Sequence, residues 1–171
     1  MRPSPVMLLG IDGGEYSVFN AMIARGHMPH LKRIFEESEL AALDGYVQGP
    51  GQGWATLMTG QYPARHGIYY WTVHQGVDSS LLADGPLLWD ELNRHGLSTG
   101  IVNMSYTYPT SPVNGFMIAG LGGGLSPTAD TIYAHPAGII EELSKAGIKY
   151  VRGVERTVGD MDHNFALLNE L

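Results

Sequence analysis

The residues best equipped for chemistry fall in two places. One is Asp12, which closes the apolar run Val6 to Ile11 and is followed by Gly13-Gly14. The other is the stretch Gly49 to Trp71, GPGQGWATLMTGQYPARHGIYYW. There Gly49, Pro50, Gly51 and Gly53 crowd the approach to a short helix-compatible run, Gly53 to Met58. A glycine- and proline-rich loop entering a helix presents backbone N–H groups and the positive end of the helix dipole, which suits an anion such as phosphate or sulfate. The same composition also makes ordinary turns, and the residues alone leave both readings open. A carboxylate at the carboxyl end of a strand is similarly double. Asp12 reads as a metal ligand or as a helix N-cap or turn former.

Short elements must position these groups. The continuous apolar run Val6 to Ile11 predicts a strand covered on both faces of a parallel sheet. Glu15 then supplies a first-turn charge favourable to the helix dipole. Tyr16 to Ala24 has helical spacing, with Val18, Met22 and Ile23 on one side and Gly26 as its stop. Pro29 opens a second helix, about Leu31 to Glu37, with Leu31 and Ile34 inward; His27 and His30 read as loop residues. Glu39 to Leu43 predicts a short strand. Beyond the central stretch come a loop at Asp78 to Gly85, a helix at Leu87 to Arg94 and strands at Leu97 to Val102 and Phe116 to Ala119. Gly120 to Gly124 reads as a flexible loop, lacking the spacing of a cofactor fingerprint. A helix at Pro136 to Ala146, a strand at Ile148 to Val151 and a terminal helix within Asp160 to Leu171 complete the pattern. Helices alternating with strands imply an α/β fold with a mostly parallel sheet.

Composition narrows the function classes. A length of 171 residues suits one domain. The net charge of −7 and ten scattered basic residues argue against nucleic acid, which demands clustered Lys and Arg. No cysteine is present, so neither disulfides nor thiolate metal sites can form. The opening apolar run is too short to cross a membrane, and a cytoplasmic location is expected.

The run Trp54-Ala55-Thr56-Leu57-Met58-Thr59-Gly60, with Tyr62-Pro63 and His66-Gly67-Ile68, resembles the nucleophile region of the alkaline phosphatase superfamily, in its phosphodiesterase/nucleotide pyrophosphatase branch. Leu8-Leu9-Gly10-Ile11-Asp12-Gly13-Gly14 resembles that branch's first strand with its metal-binding aspartate. Trp89-Asp90-Glu91-Leu92 through Asn103, and Thr107-Tyr108-Pro109 to Phe116-Met117, resemble its next β/α unit. The resemblance implies a metal-dependent phosphoric-ester hydrolase with an alkaline-phosphatase-like fold and a small phosphorylated substrate. It implies two divalent metals, usually zinc, with Asp12 as one ligand and Gly51, Gln52, Gly53 and Trp54 around the phosphate. Asp12 and the helix start would face one another across a cleft.

Two departures accompany it. Aligned on Trp54 and Thr59-Gly60, the nucleophile position falls on Pro50, which has neither hydroxyl nor N–H. The family's phosphate-binding asparagine beyond His-Gly-Ile is here Trp71. Members of the superfamily are much longer and carry their remaining ligands later, so the resemblance reads this chain as an N-terminal portion, a truncated relative or one piece of a split protein. A missing C-terminal half or a homo-oligomer would then complete the sheet. Beside the hydrolase stand two other readings: an inactive homologue that binds a phosphorylated ligand or a partner, and a doubly wound nucleotide-binding domain. The last expects a fingerprint glycine loop that Gly10 to Gly14 does not supply.

Overall fold

The computed structural model describes residues 4–43, 45, 47, 49–69, 85–120 and 133–150, which fall in two units, Met1–Tyr46 and Val47–Leu171. In the first unit, helix α1 spans Tyr16–Ala24 and α2 spans Pro29–Glu37. Glu15 is the N-cap of α1, its carboxylate accepting the Ser17 N–H at 3.1 Å, a more specific role than a first-turn charge. Gly26, at φ +78°, ends the helix, and Pro29 pre-sets the first turn of α2. His30 is therefore helical rather than in a loop, while His27 stays outside the helix, so the two do not form a ligand pair at helical spacing. The inward residues are Phe19, Met22 and Ile23 on α1, and Leu31 and Phe35 on α2; Val18 and Ile34 are exposed instead. Aromatic packing decides this. Phe35 stacks on Tyr16 at 6.0 Å and meets Phe19 edge-on at 6.4 Å, selecting the helix faces that turn together.

Two predicted strands of this unit are absent. Val6 to Ile11 has no ladder partner among the described residues and is exposed, Val6 by 92%. Glu39 to Leu43 is likewise outside any strand. Apolar continuity signals that a run seeks cover. It does not supply the neighbouring strand, and the first unit contains none among its described residues.

The second unit begins with α3, Pro50–Thr59, followed by α4, Pro63–His66. After α5, Leu88–Arg94, come strands β1, Thr99–Met104, and β2, Gly115–Ala119; β3, Ala134–His135, precedes α6, Ile139–Lys145. The Asp90 carboxylate accepts the Leu87 N–H at 3.0 Å, closing the first turn of α5. The sheet order is β1-β2-β3, with β1 and β2 parallel and β2 and β3 antiparallel, so the sheet of the described residues is mixed. The α/β class holds.

Side chains pin the parallel pair at both ends. At the entry, Asn93 Nδ2 donates to Leu97 O at 2.9 Å and to Thr99 Oγ1 at 3.2 Å, while its Oδ1 accepts the Asn114 N–H at 2.7 Å. Asn114 Nδ2 reaches Leu97 O in turn, at 3.2 Å. Leu97 is thus consumed by this clamp, and β1 starts two residues later than its apolar pattern suggests. At the exit, Thr107 Oγ1 donates to Met104 O at 2.6 Å and accepts the Gly120 N–H at 3.0 Å. Asn103, at φ 56°, forms a bulge just before that exit. Gly120 is obligatory, because a Cβ there would lie 2.2 Å from Met104 O. The connection from β1 to β2, residues 105–114, is ten residues long and contains no helix.

The step from Met117 to Ile118 on β2 divides the core. Met117 joins Ala55, Met58, Ile68, Trp89, Ile101 and Tyr106, the cluster under α3 and α5. Ile118 joins Ala119 and Tyr133, against Ile139, Ile140 and Leu143 of α6. Helices therefore cover both faces of β2. Helix α6 begins three residues later than its sequence pattern, since Ala134–His135 is drawn into β3. The predicted strand at Ile148 is replaced by a helix-ending wrap, the Ile148 N–H donating to Leu143 O at 2.9 Å. The predicted loops at Asp78 to Asp84 and Leu121 to Gly124, Val151, Trp71 and the predicted terminal helix lie outside the described residues.

Candidate functional site

Helix α3 starts three residues earlier than the run Gly53 to Met58, because Pro50 occupies the first helical position and Gly49 is the extended N-cap, at φ −140° and ψ 152°. No side chain caps this start. Proline contributes no N–H, and the Gly53 N–H is already bound to Gly49 O at 3.0 Å. The amides of Gly51 and Gln52 belong to the first turn, whose N–H groups have no partner within the helix itself. Gly51 is buried, Gln52 and Gly53 are partly so, and Trp54 packs against the core cluster. The four residues expected around a phosphate fall together at the start of this helix, directly after Pro50, with the indole of Trp54 anchoring their end.

The expected nucleophile position, Pro50, is the first residue of that helix. Geometrically it is where a side-chain oxygen would feel the helix dipole most, but proline carries none. The nearby hydroxyls are engaged elsewhere. Thr59 Oγ1 donates to Ala55 O at 2.7 Å and accepts the Gln61 N–H at 3.2 Å, finishing the helix. Thr56 Oγ1 lies 3.1 Å from His66 Nε2. His66 also accepts the Ile68 N–H on Nδ1, at 3.1 Å, so it bonds backbone where the chain turns after α4. Burial pushes its pKa below the ordinary imidazole value. Gln52 Nε2 donates to Tyr69 O at 2.5 Å, so α3 holds the segment behind α4 from two of its turns. Sequence reasoning missed the Gln52 and Thr56 ties. The signals were Pro63 and Gly67, which bracket α4 and fold the chain back on α3.

Asp12 belongs to the first unit and α3 to the second. Asp12 is exposed in the turn Ile11 to Gly14, closed by the Gly14 N–H on Ile11 O at 3.3 Å, with Gly13 at φ +64°. It is not the N-cap of α1, a role taken by Glu15. One of its two structural readings is thereby removed, and turn forming remains beside metal ligation. A zinc centre needs about three or four protein ligands. Among the described residues no group of three or more His, Asp or Glu side chains could hold a metal. These residues therefore do not fit a complete metal centre. No helix among the described residues is long and apolar enough to cross a membrane.

A profile of the family described as Type I phosphodiesterase / nucleotide pyrophosphatase matches residues 6–164, nearly the whole chain. No curated protein and no solved structure matches it.

Proposed function

Because the chain belongs to the type I phosphodiesterase / nucleotide pyrophosphatase family, we propose that it is a metal-dependent hydrolase of phosphoric esters. The family match over residues 6–164 carries this conclusion, since that family is one of phosphoester hydrolases. In this proposal the start of α3, Gly51, Gln52, Gly53 and Trp54, seats the phosphate of a small cytoplasmic substrate. Asp12 supplies one ligand to a divalent cation, zinc by the resemblance. The other ligands come from outside the described residues, and the sheet continues as a mostly parallel one beyond its three described strands.

Pro50 favours a second reading. Without a hydroxyl at the head of α3, and with Thr56 and Thr59 already bonded, the covalent phosphoryl-enzyme route has no evident nucleophile. An inactive homologue that binds a phosphorylated ligand or a protein partner accounts for that proline directly. One assay separates the two. Aryl phosphate mono- and diester hydrolysis is measured with added zinc or manganese, for the chain and for Asp12→Ala and Pro50→Thr. The hydrolase reading expects metal-dependent turnover that Asp12→Ala abolishes and Pro50→Thr raises. No turnover in the chain or in Pro50→Thr, with phosphate still binding, favours the inactive binder.

A further inference from the structure

His66 closes a small circuit between α3, α4 and the segment behind them. Its Nδ1 accepts the Ile68 N–H and its Nε2 meets Thr56 Oγ1, each at 3.1 Å. A ring nitrogen that accepts an N–H carries no proton of its own, so the neutral ring holds its proton on Nε2 and donates it to Thr56. A second proton can enter only at Nδ1, where it meets the Ile68 N–H head-on. We propose that His66 is a proton-sensitive clasp: neutral, it fastens α3 to residues 67–69, and protonated, it releases the Ile68 amide and slackens the Gln52–Tyr69 tie at the head of α3. That head is the turn assigned to phosphate above; the functional consequence rests on the hydrolase proposal, while the clasp itself does not.

The surroundings let the ring act alone. Helix α3, which packs against α4, has no ionisable side chain. On α4 the charged neighbour is Arg65, which is exposed, and the phenols of Tyr62 and Tyr69 flank the helix. No carboxylate pairs with His66 among the described residues; its pKa is lowered by burial, with an opposing backbone contribution from the residue itself. Since the folded state binds the second proton less readily than the unfolded chain, the contribution to stability is complete above pH ~6.5 and is lost as pH falls through the lowered value.

The test is an NMR titration of the 171-residue chain, following the ring nitrogens of His66, the Ile68 amide and the Gln52 side-chain amide from pH 8 to 4.5. The clasp expects the Nε2–H tautomer at neutral pH and one common midpoint, below ~6.5, for all three groups. His66→Asn keeps an acceptor for the Ile68 N–H and His66→Gln keeps a donor for Thr56. In both, the pH-dependent shift of the Gln52 amide should vanish. A proton on Nδ1 at neutral pH, or a Gln52 amide that ignores the titration of the ring, overturns the proposal. So does a Gln52 shift that persists in either variant. Should the variants fail to fold, the wild-type titration alone still decides. No substrate is involved, so absent phosphoester hydrolysis would count against the hydrolase proposal and leave the clasp to be judged by the ring.

Discussion

Replacing Thr107 by valine should cost far more than its single exchanged atom suggests. Thr107 is 2% exposed, and its hydroxyl is at once a donor to Met104 O and an acceptor for the Gly120 N–H. Valine keeps the shape and leaves both backbone groups without that partner at the exit of the parallel pair. Each stranded buried group costs about 1–3 kcal/mol, and the added methyl recovers a little by burial, so a net loss of about 2–3 kcal/mol is expected. Serine, which keeps the hydroxyl and loses only a methyl, should cost about 1 kcal/mol. In urea, with a slope of about 1–3 kcal/mol per molar, the valine variant should unfold at a midpoint about 1 M lower. Equilibrium unfolding followed by tryptophan fluorescence measures it, since Trp89 lies in the core of the same unit. A valine variant within ~0.5 kcal/mol of the wild type, or no weaker than the serine variant, would refute the bridging role, because a buried bridge cannot be lost without the cost of its orphans.

Asn93→Ala should cost about 0.5–1.5 kcal/mol, because it removes the side-chain ties to Leu97, Thr99 and Asn114, whose exposed N–H water can then take up, and loosens the entry of β1 and β2; urea unfolding measures the loss, and slower hydrogen exchange at Thr99 would speak against it. Trp89→Phe should be nearly neutral in hydrogen bonding, since the buried indole N–H has no partner among the described residues; a loss above about 2 kcal/mol by the same method would reveal a partner or a packing role that the ring alone does not explain. The Ser17 hydrogen bond holds Glu15 below the ordinary carboxylate value, so its cap contributes above pH ~4.5 and is lost as pH falls through the lowered value. Following the Ser17 amide by NMR should show that loss, and Glu15→Gln should flatten it.

Local signals were the legible ones. Gly26 at the end of α1 and Pro29 at the start of α2 announced those two helices, because each acts within one turn of itself, whereas the start of α3 at Pro50 and the whole of α4 lie outside the helices that the sequence pattern predicts. The parallel strands were legible to within two residues, and the error at β1 came from Asn93 and Asn114, whose reach across the fold no window of sequence displays. Val6 to Ile11 misled for a related reason: its pattern states a need for cover that its own unit does not meet. At the candidate site, the turn Gly51 to Trp54 was visible in composition. Thr56 and His66, ten residues apart, meet only because α4 doubles back, and that had to be seen.

The helix-free link between β1 and β2 works as a ruler. Its first residues are held in the turn that Thr107 closes on Met104, so the stretch from there to Gly115 must alone run back along the sheet. At about 3.3–3.6 Å per residue, seven or eight residues reach at most ~25–28 Å. The return leg beside a six-residue strand consumes about 20 Å of that. Only a few ångströms of slack remain. Removing two or three residues between Thr107 and Asn114 would leave the strands unable to keep their register, whereas added residues can simply bow outward. Among natural variants of this chain, length in this link should therefore vary in one direction only.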